Sequence, residues 1–563
     1  MVAVLDRLTG LRAIAVLAPL FLLAIALGEH DLGGTFFTLT VATALAALLL
    51  VVARRPRFAV FATWAILGVI TTISAAKMKY MGVSLHAFDT FFYLRDSSIA
   101  GFLIGSFTAP LLGVAALALA GGGLLWWLFR RERPVAGARR FAWALPIVVV
   151  APVIAYPNMA DDRLASYYFG YHLTSSLFTS FSDIGALFSR PKLVDRLARI
   201  PETGAYGGAT ACRGDEAKPD IVVSLMESAF PVSLYPQIRR PAELDRAMLS
   251  SDGRLRGLRV ETFGGGTWIT TTALFTGLPT TEFDWMRPYL PFYLDGRVNH
   301  SLFRALERCG YDTAVVSPLA YGFVGEGAFL TSIGARRYHD WKAIGAASKH
   351  ERDKVYFSAA LDRLRAHRAA DGRPLLIFVM TMATHSPFAR RFSPEETLTG
   401  EPWGNDPELD EFLRRLVLQR RDFDAFAARL ADDPGPRGTV LVDFGDHQPT
   451  IVRDLAERTD PKALADWSSV AYRTYYRITG LGRPLARPLP DHDVLDVPYL
   501  GVTILEAAGL PLDDVHTELA SLRDRCAGHF AGCADRAAVD RHLKRFANAR
   551  MLDLERRWSP FGP

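Results

Sequence analysis

Five long apolar runs dominate the first 156 positions of the chain. Arg12 is the one charged residue within them, and polar loops separate one run from the next. The runs cover residues 11–27, 35–53, 58–76, 102–129 and 141–156. Because about 20 apolar residues in a helix span a bilayer core, the pattern predicts five transmembrane helices. The first run is as short as a cleaved signal peptide, but four more follow it, so we interpret it as an anchor.

After Pro219 the pattern changes to short apolar runs that alternate with helical stretches, which is typical of an α/β fold with a mostly parallel sheet. The predicted strands cover residues 221–226, 313–316, 375–381, 440–442 and 474–478. The predicted helices cover residues 301–309, 353–367, 408–430, 497–508 and an amphipathic 534–558. We expect a transmembrane domain at 1–156, a linker at 157–217, an α/β domain at 218–520 and a helical tail at 521–563.

The linker is rich in Tyr and Phe between residues 161 and 190 and in Gly, Ala and Thr between 202 and 218. The aromatic part is either an amphipathic segment that lies on the membrane or a packed connection to the soluble domain. The second part is typical of a flexible join.

Arginine in two loops predicts the orientation of the membrane domain. The loop after the second run holds Arg54, Arg55 and Arg57, and the loop after the fourth holds five more Arg, whereas residues 28–34 contain no Lys or Arg. By the positive-inside rule both Arg-rich loops are cytoplasmic, and everything after Tyr156 lies outside. These loops account for the net charge of +5, so the charge gives no indication of nucleic acid binding.

The four cysteines form no metal-binding cluster in the sequence. Cys526 and Cys533 are close in a polar stretch, and an oxidising compartment would favour a disulfide between them. Cys212 and Cys309 are either a second bridge or two buried thiols.

An acidic residue, Glu227, directly follows the first predicted strand. A carboxylate at the end of a buried strand is unfavourable unless it is paired or bound to a cation. The alternative is an ordinary surface glutamate.

A glycine-rich turn, F-G-G-G-T-W at residues 263–268, precedes a predicted helix. Three glycines permit unusual dihedral angles and close backbone approach. The hydroxyl of Thr267 would then lie among the N–H groups of a helix start, which bind phosphate readily, and a metal can turn such a hydroxyl into a nucleophile. The alternative is that Thr267 caps the helix.

Two more predicted strands end in candidate site residues. His385 lies in T-H-S-P-F at 384–388 and could donate a hydrogen bond to a phosphoryl oxygen or protonate a leaving group; a structural hydrogen bond is the alternative. Asp446 and His447 follow a buried strand and a glycine in V-L-V-D-F-G-D-H-Q-P at 440–449. Ligands bind at the carboxyl ends of strands in open parallel sheets, so this pair is a candidate metal site.

In their order along the chain, these motifs resemble those of the alkaline phosphatase–sulfatase superfamily. Thr267, followed nine residues later by Thr276-Gly277, is similar to the sulfatase signature Cys-x-Pro-Ser-Arg-x-x-x-x-Thr-Gly. The five-span anchor, Glu227-Ser228 and the two motifs around His385 and Asp446 resemble the lipoteichoic acid synthase and phosphoglycerol transferase branch. The resemblance covers nearly the whole chain and implies a sulfatase-like catalytic domain at 218–520.

The resemblance implies a ligand set, namely that Glu227, Thr267, Asp446 and His447 bind one divalent metal. It also implies that Thr267 is the nucleophile and that His385 contacts the transferred phosphoryl group. Oxygen donors with one imidazole suit Mn²⁺ or Zn²⁺.

The sequence departs from the family at two places. Thr267 and Ile269 stand where a sulfatase needs Cys or Ser and then Pro, so sulfate ester hydrolysis is not expected. Residues 321–330 lack the Trp/Arg pair that holds glycerol phosphate in teichoic acid synthases. Glu326 in this stretch would either attract an ammonium headgroup or lie solvated in a loop.

The implied function is that of a metal-dependent phosphotransferase anchored in the bacterial cytoplasmic (inner) membrane, with its catalytic domain on the periplasmic or extracellular side. It would move a phosphoglycerol or phosphoethanolamine headgroup from a phospholipid donor to an envelope glycan or lipid acceptor through a phospho-threonine intermediate. The alternatives are a membrane-tethered phosphodiesterase and a catalytically inactive scaffold for envelope assembly.

Overall fold

A computed structural model describes most of the chain. The described residues are 11–29, 31–81, 83–92, 97–137, 172–181, 192–207, 218–250 and 252–554, with isolated positions at 142, 145–146, 150–151 and 212. The chain divides into two compact units, Met1–Leu187 and Phe188–Pro563.

Unit 1 is helical. Its helices are α1 (Leu11–Glu29), α2 (Leu32–Ala53), α3 (Pro56–Met81), α4 (Asp89–Phe92), α5 (Ser97–Arg131) and α6 (Ser175–Ser180). Among the described residues, three segments are long and apolar enough to cross a membrane: Leu32–Ala53, Pro56–Lys79 and Leu111–Arg131. The first predicted span forms α1, whose apolar part Ile14–Glu29 is shorter. Most of the fifth predicted span lies outside the described residues, so the number five stays a prediction.

The two Arg-rich loops meet at one end of unit 1. Arg55 Nε donates to the backbone oxygen of Glu132 at 2.9 Å. The Glu132 carboxylate accepts the N–H groups of Arg57 and Phe58 at 2.9 and 2.8 Å. The loops after α2 and after α5 therefore lie on the same side, as the orientation prediction requires.

The opposite end of unit 1 holds residues 172–181. Glu29, at the end of α1, accepts hydrogen bonds from the N–H groups of Thr174 and Ser175 at 3.0 and 2.9 Å and from Thr38 Oγ1 at 2.9 Å. Phe178, an aromatic residue of the predicted linker, packs against α2. Between residues 137 and 172 the chain therefore passes from the Arg-rich end to the opposite end.

Unit 2 contains one eight-stranded sheet. Its strands are β1 (Asp220–Met226), β2 (Gly257–Arg259), β3 (Asp312–Val316), β4 (Arg337–His339), β5 (Leu375–Met380), β6 (Thr439–Gly445), β7 (Arg473–Leu481) and β8 (Val494–Asp496). The spatial order is β4-β3-β5-β1-β6-β7-β2-β8. The first five strands of this order are parallel, and β7 is antiparallel to both β6 and β2. The predicted mostly parallel sheet is confirmed.

Helices connect and cover the strands. They are α7 (Lys192–Ala198), α8 (Glu243–Arg246), α9 (Thr267–Thr276), α10 (Leu290–Leu294), α11 (Leu302–Arg308), α12 (Glu326–Ser332), α13 (Asp353–Ala370), α14 (Pro407–Asp432), α15 (Arg453–Thr459), α16 (Leu500–Ala508), α17 (Asp514–Arg525) and α18 (Arg536–Asn548). Single 3₁₀ turns lie at Val232–Leu234, Phe323–Gly325, Thr450–Val452, Val470–Tyr472 and Val497–Tyr499, with a longer one at Thr280–Tyr289.

The central strands are buried on both faces. In β1, Ile221 and Val223 join the large core of unit 2, and Val222, which points to the other face, is equally buried. A strand buried on both faces reads as a continuous apolar run. All five predicted strands therefore appear in the structure, whereas the three-residue strands β2, β4 and β8 have no such run and were not predicted.

Residues 521–554 pack into the core of unit 2. Phe530, Val539 and Phe546 are buried in the same cluster as the sheet residues. The structure places a helix at Arg536–Asn548 within the predicted 534–558, and residues 555–563 lie outside the described part of the chain.

Both cysteine pairs form disulfides. Cys526–Cys533 is confirmed, and Cys212–Cys309 is a bridge, which decides between the two alternatives that the sequence left open. Two disulfides in unit 2 are typical of a protein domain in an oxidising compartment.

Candidate functional site

The carboxyl ends of three adjacent strands bring the predicted site residues to one edge of the sheet. Glu227 follows β1, Asp446 and His447 follow β6, and His385 lies in the loop after β5. Since β5, β1 and β6 are neighbours in the parallel part of the sheet, their ends open on the same side. We call the set of Glu227, Thr267, His385, Asp446 and His447 the strand-edge site.

Three of the predicted ligands form one tight group. Ligand atoms of Glu227, Asp446 and His447 all lie within 4.8 Å of one another. His447 Nε2 is 3.7 Å from Glu227 Oε1 and 3.3 Å from Asp446 Oδ2. All three residues are at most 3% exposed. Side chains that are separated by about 220 positions thus converge in the interior.

The glycine turn places Thr267 against this group. Gly266 has φ +80° and is the N-cap of α9, so Thr267 is the first helical residue and does not cap the helix. Its Oγ1 donates to Glu227 Oε2 at 3.4 Å. The first turn of α9 is also attached to the residue that follows β6, because Thr270 Oγ1 donates to the backbone oxygen of Asp446 at 2.7 Å.

The electrostatics of the group favour a bound cation. Burial first, and then the charge of Glu227, raises the pKa of Asp446 to about 7. Among the described residues, no Lys or Arg side chain pairs with either carboxylate, and His447 is their one basic partner. Two buried carboxylates, one imidazole and a hydroxyl are donors that Mn²⁺ or Zn²⁺ would accept. The residues present therefore fit one divalent metal.

His385 is uncharged at neutral pH. Burial lowers its pKa to about 4; His447 and Lys349 also lower it, and the hydrogen bond to the carbonyl of Ser386 opposes them. Its Nδ1 lies 2.5 Å from the backbone oxygen of Ser386, which can only accept, so the one N–H group of the neutral imidazole is used there and Nε2 is an acceptor. Both predicted roles of His385, donation to a phosphoryl oxygen and protonation of a leaving group, would therefore require a second proton on the ring.

Ser228 also holds the site together, a role that no spacing in the sequence indicates. Its backbone has φ +52°, which a serine rarely adopts. In this conformation its N–H donates to Asp446 Oδ1 at 2.8 Å and its Oγ to Glu227 Oε1 at 2.7 Å. One residue thus fixes both carboxylates.

Glu326 is a buried acid, so the expectation of a solvated loop residue was wrong. It is 1% exposed and accepts a hydrogen bond from Thr271 Oγ1 at 2.8 Å, while its Oε2 accepts none from the described residues. Burial raises its pKa to about 7, with smaller contributions from Asp446 and Glu227. Thr271 lies one turn beyond Thr267 on the same face of α9, so Glu326 adds negative charge beneath the site.

Two other groups of His and acidic side chains come together in the described part of the chain: His300 with Asp513 and His516, and Asp312 with His367 and Asp371. In each of these two groups, an arginine side chain forms an ion pair with one of the carboxylates. Arg308 pairs with Asp513 at 2.6 Å, and Arg337 pairs with Asp312 at 2.5 Å. Among the described residues, the strand-edge group is the one of the three whose carboxylates have no basic partner other than histidine.

The comparisons with known proteins agree with this geometry. Residues 219–472 match the sulfatase family model. A Haemophilus influenzae protein described as uncharacterized is 23% identical over 317 residues, which are 53% of this chain and 55% of that protein. The chain thus matches about half the length of this curated relative.

The solved structures that are similar to this chain include two transferases and one synthase, each with a TM-score below 0.5. The phosphoglycerol transferase GacH of Streptococcus pyogenes is 15% identical, with 66% of this chain and 92% of that chain covered and a TM-score of 0.45. The lipooligosaccharide phosphoethanolamine transferase EptA of Neisseria meningitidis is 12% identical, with coverages of 80% and 88% and a TM-score of 0.49. The lipoteichoic acid synthase LtaP of Listeria monocytogenes is 14% identical, with coverages of 57% and 78% and a TM-score of 0.39.

The matched range contains every residue of the strand-edge site, from Glu227 to His447. Residues 219–472, a little under half of the chain, are therefore similar to the sulfatase family.

Proposed function

We propose that this chain is a membrane-anchored phosphotransferase that moves a phosphoglycerol or phosphoethanolamine headgroup from a phospholipid to an envelope glycan or lipid. The observation that carries the proposal is the position of Thr267. Its hydroxyl stands at the first position of α9 and contacts Glu227, whose buried group, among the described residues, has no Lys or Arg partner.

In the first step, Thr267 Oγ1 attacks the phosphorus of the donor phosphodiester. A bond forms between Oγ1 and phosphorus, the bond to the diacylglycerol oxygen breaks, and the departing oxygen takes a proton. Glu227 Oε2 accepts the hydrogen bond of the Thr267 hydroxyl, so it is placed to receive the proton that this hydroxyl loses. In the second step, an acceptor hydroxyl displaces Thr267 from phosphorus.

The surrounding residues stabilise the charge on the phosphoryl oxygens. The first turn of α9 presents backbone N–H groups that no helical carbonyl can occupy, and His385, in the loop after β5, would donate to a phosphoryl oxygen when its ring carries a second proton. Glu227, Thr267, Asp446 and His447 would hold one divalent metal, which supplies positive charge to the phosphoryl oxygens and lowers the pKa of the attacking hydroxyl.

The membrane helices supply access to the donor. The positive-inside rule assigns the Arg-rich end of unit 1 to the cytoplasm, and residues 172–181 lie at the opposite end. We infer that unit 2 lies outside the cytoplasmic membrane, where its disulfides are stable. Tethering to the bilayer raises the effective concentration of a lipid donor.

The test is release of diacylglycerol by the full-length protein in vesicles that contain phosphatidylglycerol or, separately, phosphatidylethanolamine. Thr267→Ala should lower the rate by about 10⁴-fold or more, because it removes the nucleophile. Thr276→Ala makes the same chemical change at the other end of α9 and should retain activity. A folded Thr267→Ala protein with the wild-type rate would contradict the proposal. Free phosphoalcohol as the main product, even with acceptor present, would instead identify a phosphodiesterase.

A further inference from the structure

Helix α14 presents a buried polar stripe. Glu411, Arg415 and Gln419 are spaced four residues apart, so they lie on one face of the helix. Their exposed fractions are 8%, 6% and 0%. Burial of three polar side chains in a row is unfavourable unless each is hydrogen-bonded, so their partners indicate what the stripe does.

Gln419 contacts the residue that follows β1. Its Nε2 lies 3.2 Å from the backbone oxygen of Glu227, 3.1 Å from Thr381 Oγ1 and 3.0 Å from Thr384 Oγ1. The backbone oxygen of Glu227 can only accept, so the nitrogen of the amide must face it. Gln419 therefore acts as a donor to this group.

The two threonine hydroxyls complete the attachment of Glu227. Thr381 Oγ1 accepts the N–H of Glu227 at 2.9 Å and donates to the backbone oxygen of Leu225 at 3.0 Å. Thr384 Oγ1 donates to the backbone oxygen of Glu227. Both hydroxyl hydrogens are thus committed, and the two hydrogens of Gln419 Nε2 are shared among the two hydroxyl oxygens and the backbone oxygen of Glu227. The N–H and the C=O of Glu227 are both held by side chains.

Arg415 holds the loop that contains His385. Its guanidinium donates to the backbone oxygens of His385, Pro387 and Arg390 at 2.9, 3.1 and 2.8 Å. Glu411 orients the guanidinium, accepting from its Nε at 2.8 Å. The same helix face therefore fixes Glu227 through Gln419 and the backbone of His385 through Arg415.

We infer that Gln419 is a positioning residue that sets the geometry between the metal-binding edge of the strand-edge site and His385. This inference rests on the proposed function, in which Glu227 binds the metal and His385 contacts the phosphoryl group. Gln419 touches neither substrate nor metal; it acts through the backbone of Glu227 and through Thr384, the residue before His385. Replacing a group that orients a metal ligand typically lowers metal affinity or activity by about 10–100-fold.

The inference is tested by Mn²⁺ titration calorimetry on the full-length protein in detergent micelles. The variants are Gln419→Leu, which removes the donor, and the pair Thr384→Val and Thr384→Ser, which removes or keeps the hydroxyl. Thr503→Val is the control, because it deletes an equally buried hydroxyl in α16 that contacts Tyr499. Thermal unfolding without metal shows which variants are folded.

Gln419→Leu and Thr384→Val should each bind Mn²⁺ at least about tenfold more weakly, while Thr384→Ser and Thr503→Val remain within about twofold of wild type. Combining Gln419→Leu with Thr384→Val should weaken binding by less than the product of the single effects, because both act on the same carbonyl. Wild-type affinity in folded Gln419→Leu would overturn the inference. If that variant does not fold, equal affinities of the two Thr384 variants would overturn it.

Measuring both Mn²⁺ binding and diacylglycerol release in these proteins tests the role of Gln419 and the proposed function independently. A wild-type protein that binds Mn²⁺ but releases no diacylglycerol would contradict the proposed reaction. The ratio of metal affinities between Gln419→Leu and wild type would still decide whether Gln419 positions Glu227.

Discussion

Two acidic residues, one in the strand-edge site and one beneath it, are buried where water cannot reach them. Asp446 and Glu326 are buried, and the pKa of each is raised to about 7 by burial and by neighbouring carboxylates. Such shifts make the site receptive to positive charge, since a cation would relieve the repulsion that raises them. The buried carboxyl groups therefore destabilise the metal-free protein. A cation bound beside them would offset this destabilisation.

Glu326→Gln should stabilise the metal-free protein at high pH. Between pH 4.5, the ordinary pKa of a glutamate, and about 7, the unfolded chain loses this proton while the folded chain keeps it. Rising pH in this window therefore favours the unfolded state, by roughly 3 kcal/mol once pH exceeds 7. Glutamine keeps the acceptor for Thr271 and does not ionise.

Thermal unfolding with a chelator at pH 4.5 and pH 8 measures this effect. The two proteins should have similar midpoints at pH 4.5, and the variant should have the higher midpoint at pH 8. Exposed Glu395→Gln is the control and should change neither. A variant that is less stable than wild type at pH 8 would show that the carboxylate of Glu326 is compensated in the folded state.

The sequence predicted the residues of the site whose position follows directly from a strand end. Glu227 directly follows the apolar run 221–226, Asp446 and His447 come a few residues after the run 440–442, and the ends of parallel strands meet. Ser228 and Gln419 were not predicted, because their roles depend on a positive φ angle and on a helix that packs back from about 190 positions away. Glu326 was misjudged because residues 321–330 lack the regular pattern from which burial is predicted.

At the level of elements, the glycine turn before α9 determines where the nucleophile stands. Gly266 adopts φ +80°, and a Cβ added there would lie 3.1 Å from both Ile269 Cδ1 and Thr262 Oγ1. The sequence predicted a tight turn and a helix start but not which residue is the cap, because three adjacent glycines permit several conformations.

Gly266→Ala should shift Thr267 and greatly reduce diacylglycerol release. An alanine in the left-handed region destabilises the fold by about 1–2 kcal/mol, and the close contacts displace the start of α9 further. Gly296→Ala is a matched control, since Gly296 has φ +66° with no atom within 4 Å of the added Cβ. The control should lose similar stability and keep its activity. Equal activity of both variants would show that the turn does not position Thr267.

Strand prediction succeeded or failed according to burial on both faces. The predicted strand 440–442 became Thr439–Gly445, because Asp443 inside it is buried and paired with Arg420 and Arg477 at 2.8 and 2.9 Å. A charged residue in a strand interrupts the apolar run, and only its long-range partners explain its burial. The three-residue strands contain too few residues for any periodicity.

At the scale of the whole molecule, the contacts at the two ends of unit 1 bear on its predicted orientation in the membrane. Glu132 joins the loops after α2 and α5 at the Arg-rich end, and Glu29 anchors residues 172–181 at the other. Residues 137 and 172 therefore lie at opposite ends of unit 1, and a membrane crossing by the apolar run at 141–156 stays a prediction from the sequence. The sequence predicted this arrangement from loop charge and hydropathy, the two features that a bilayer selects directly.

Single cysteines at the two ends should differ in their access from outside. Leu32→Cys lies at the end opposite the Arg-rich loops and Val135→Cys beside those loops, and Leu32 and Val135 are 89% and 47% exposed. In spheroplasts, a membrane-impermeant maleimide should label Leu32→Cys and leave Val135→Cys unlabelled, whereas lysis should expose both. The reverse pattern would place the Arg-rich loops outside and would contradict the orientation.

The central claim is that Thr267 takes the headgroup of a phospholipid onto its hydroxyl. The most direct measurement is peptide mass spectrometry of the full-length protein after incubation with phosphatidylglycerol and, separately, phosphatidylethanolamine, without acceptor. We predict a phosphodiester adduct on Thr267 with one of these donors, absent in Thr267→Ala and after metal removal by a chelator. Release of diacylglycerol with no adduct on Thr267, or with the adduct on another residue, would contradict this account.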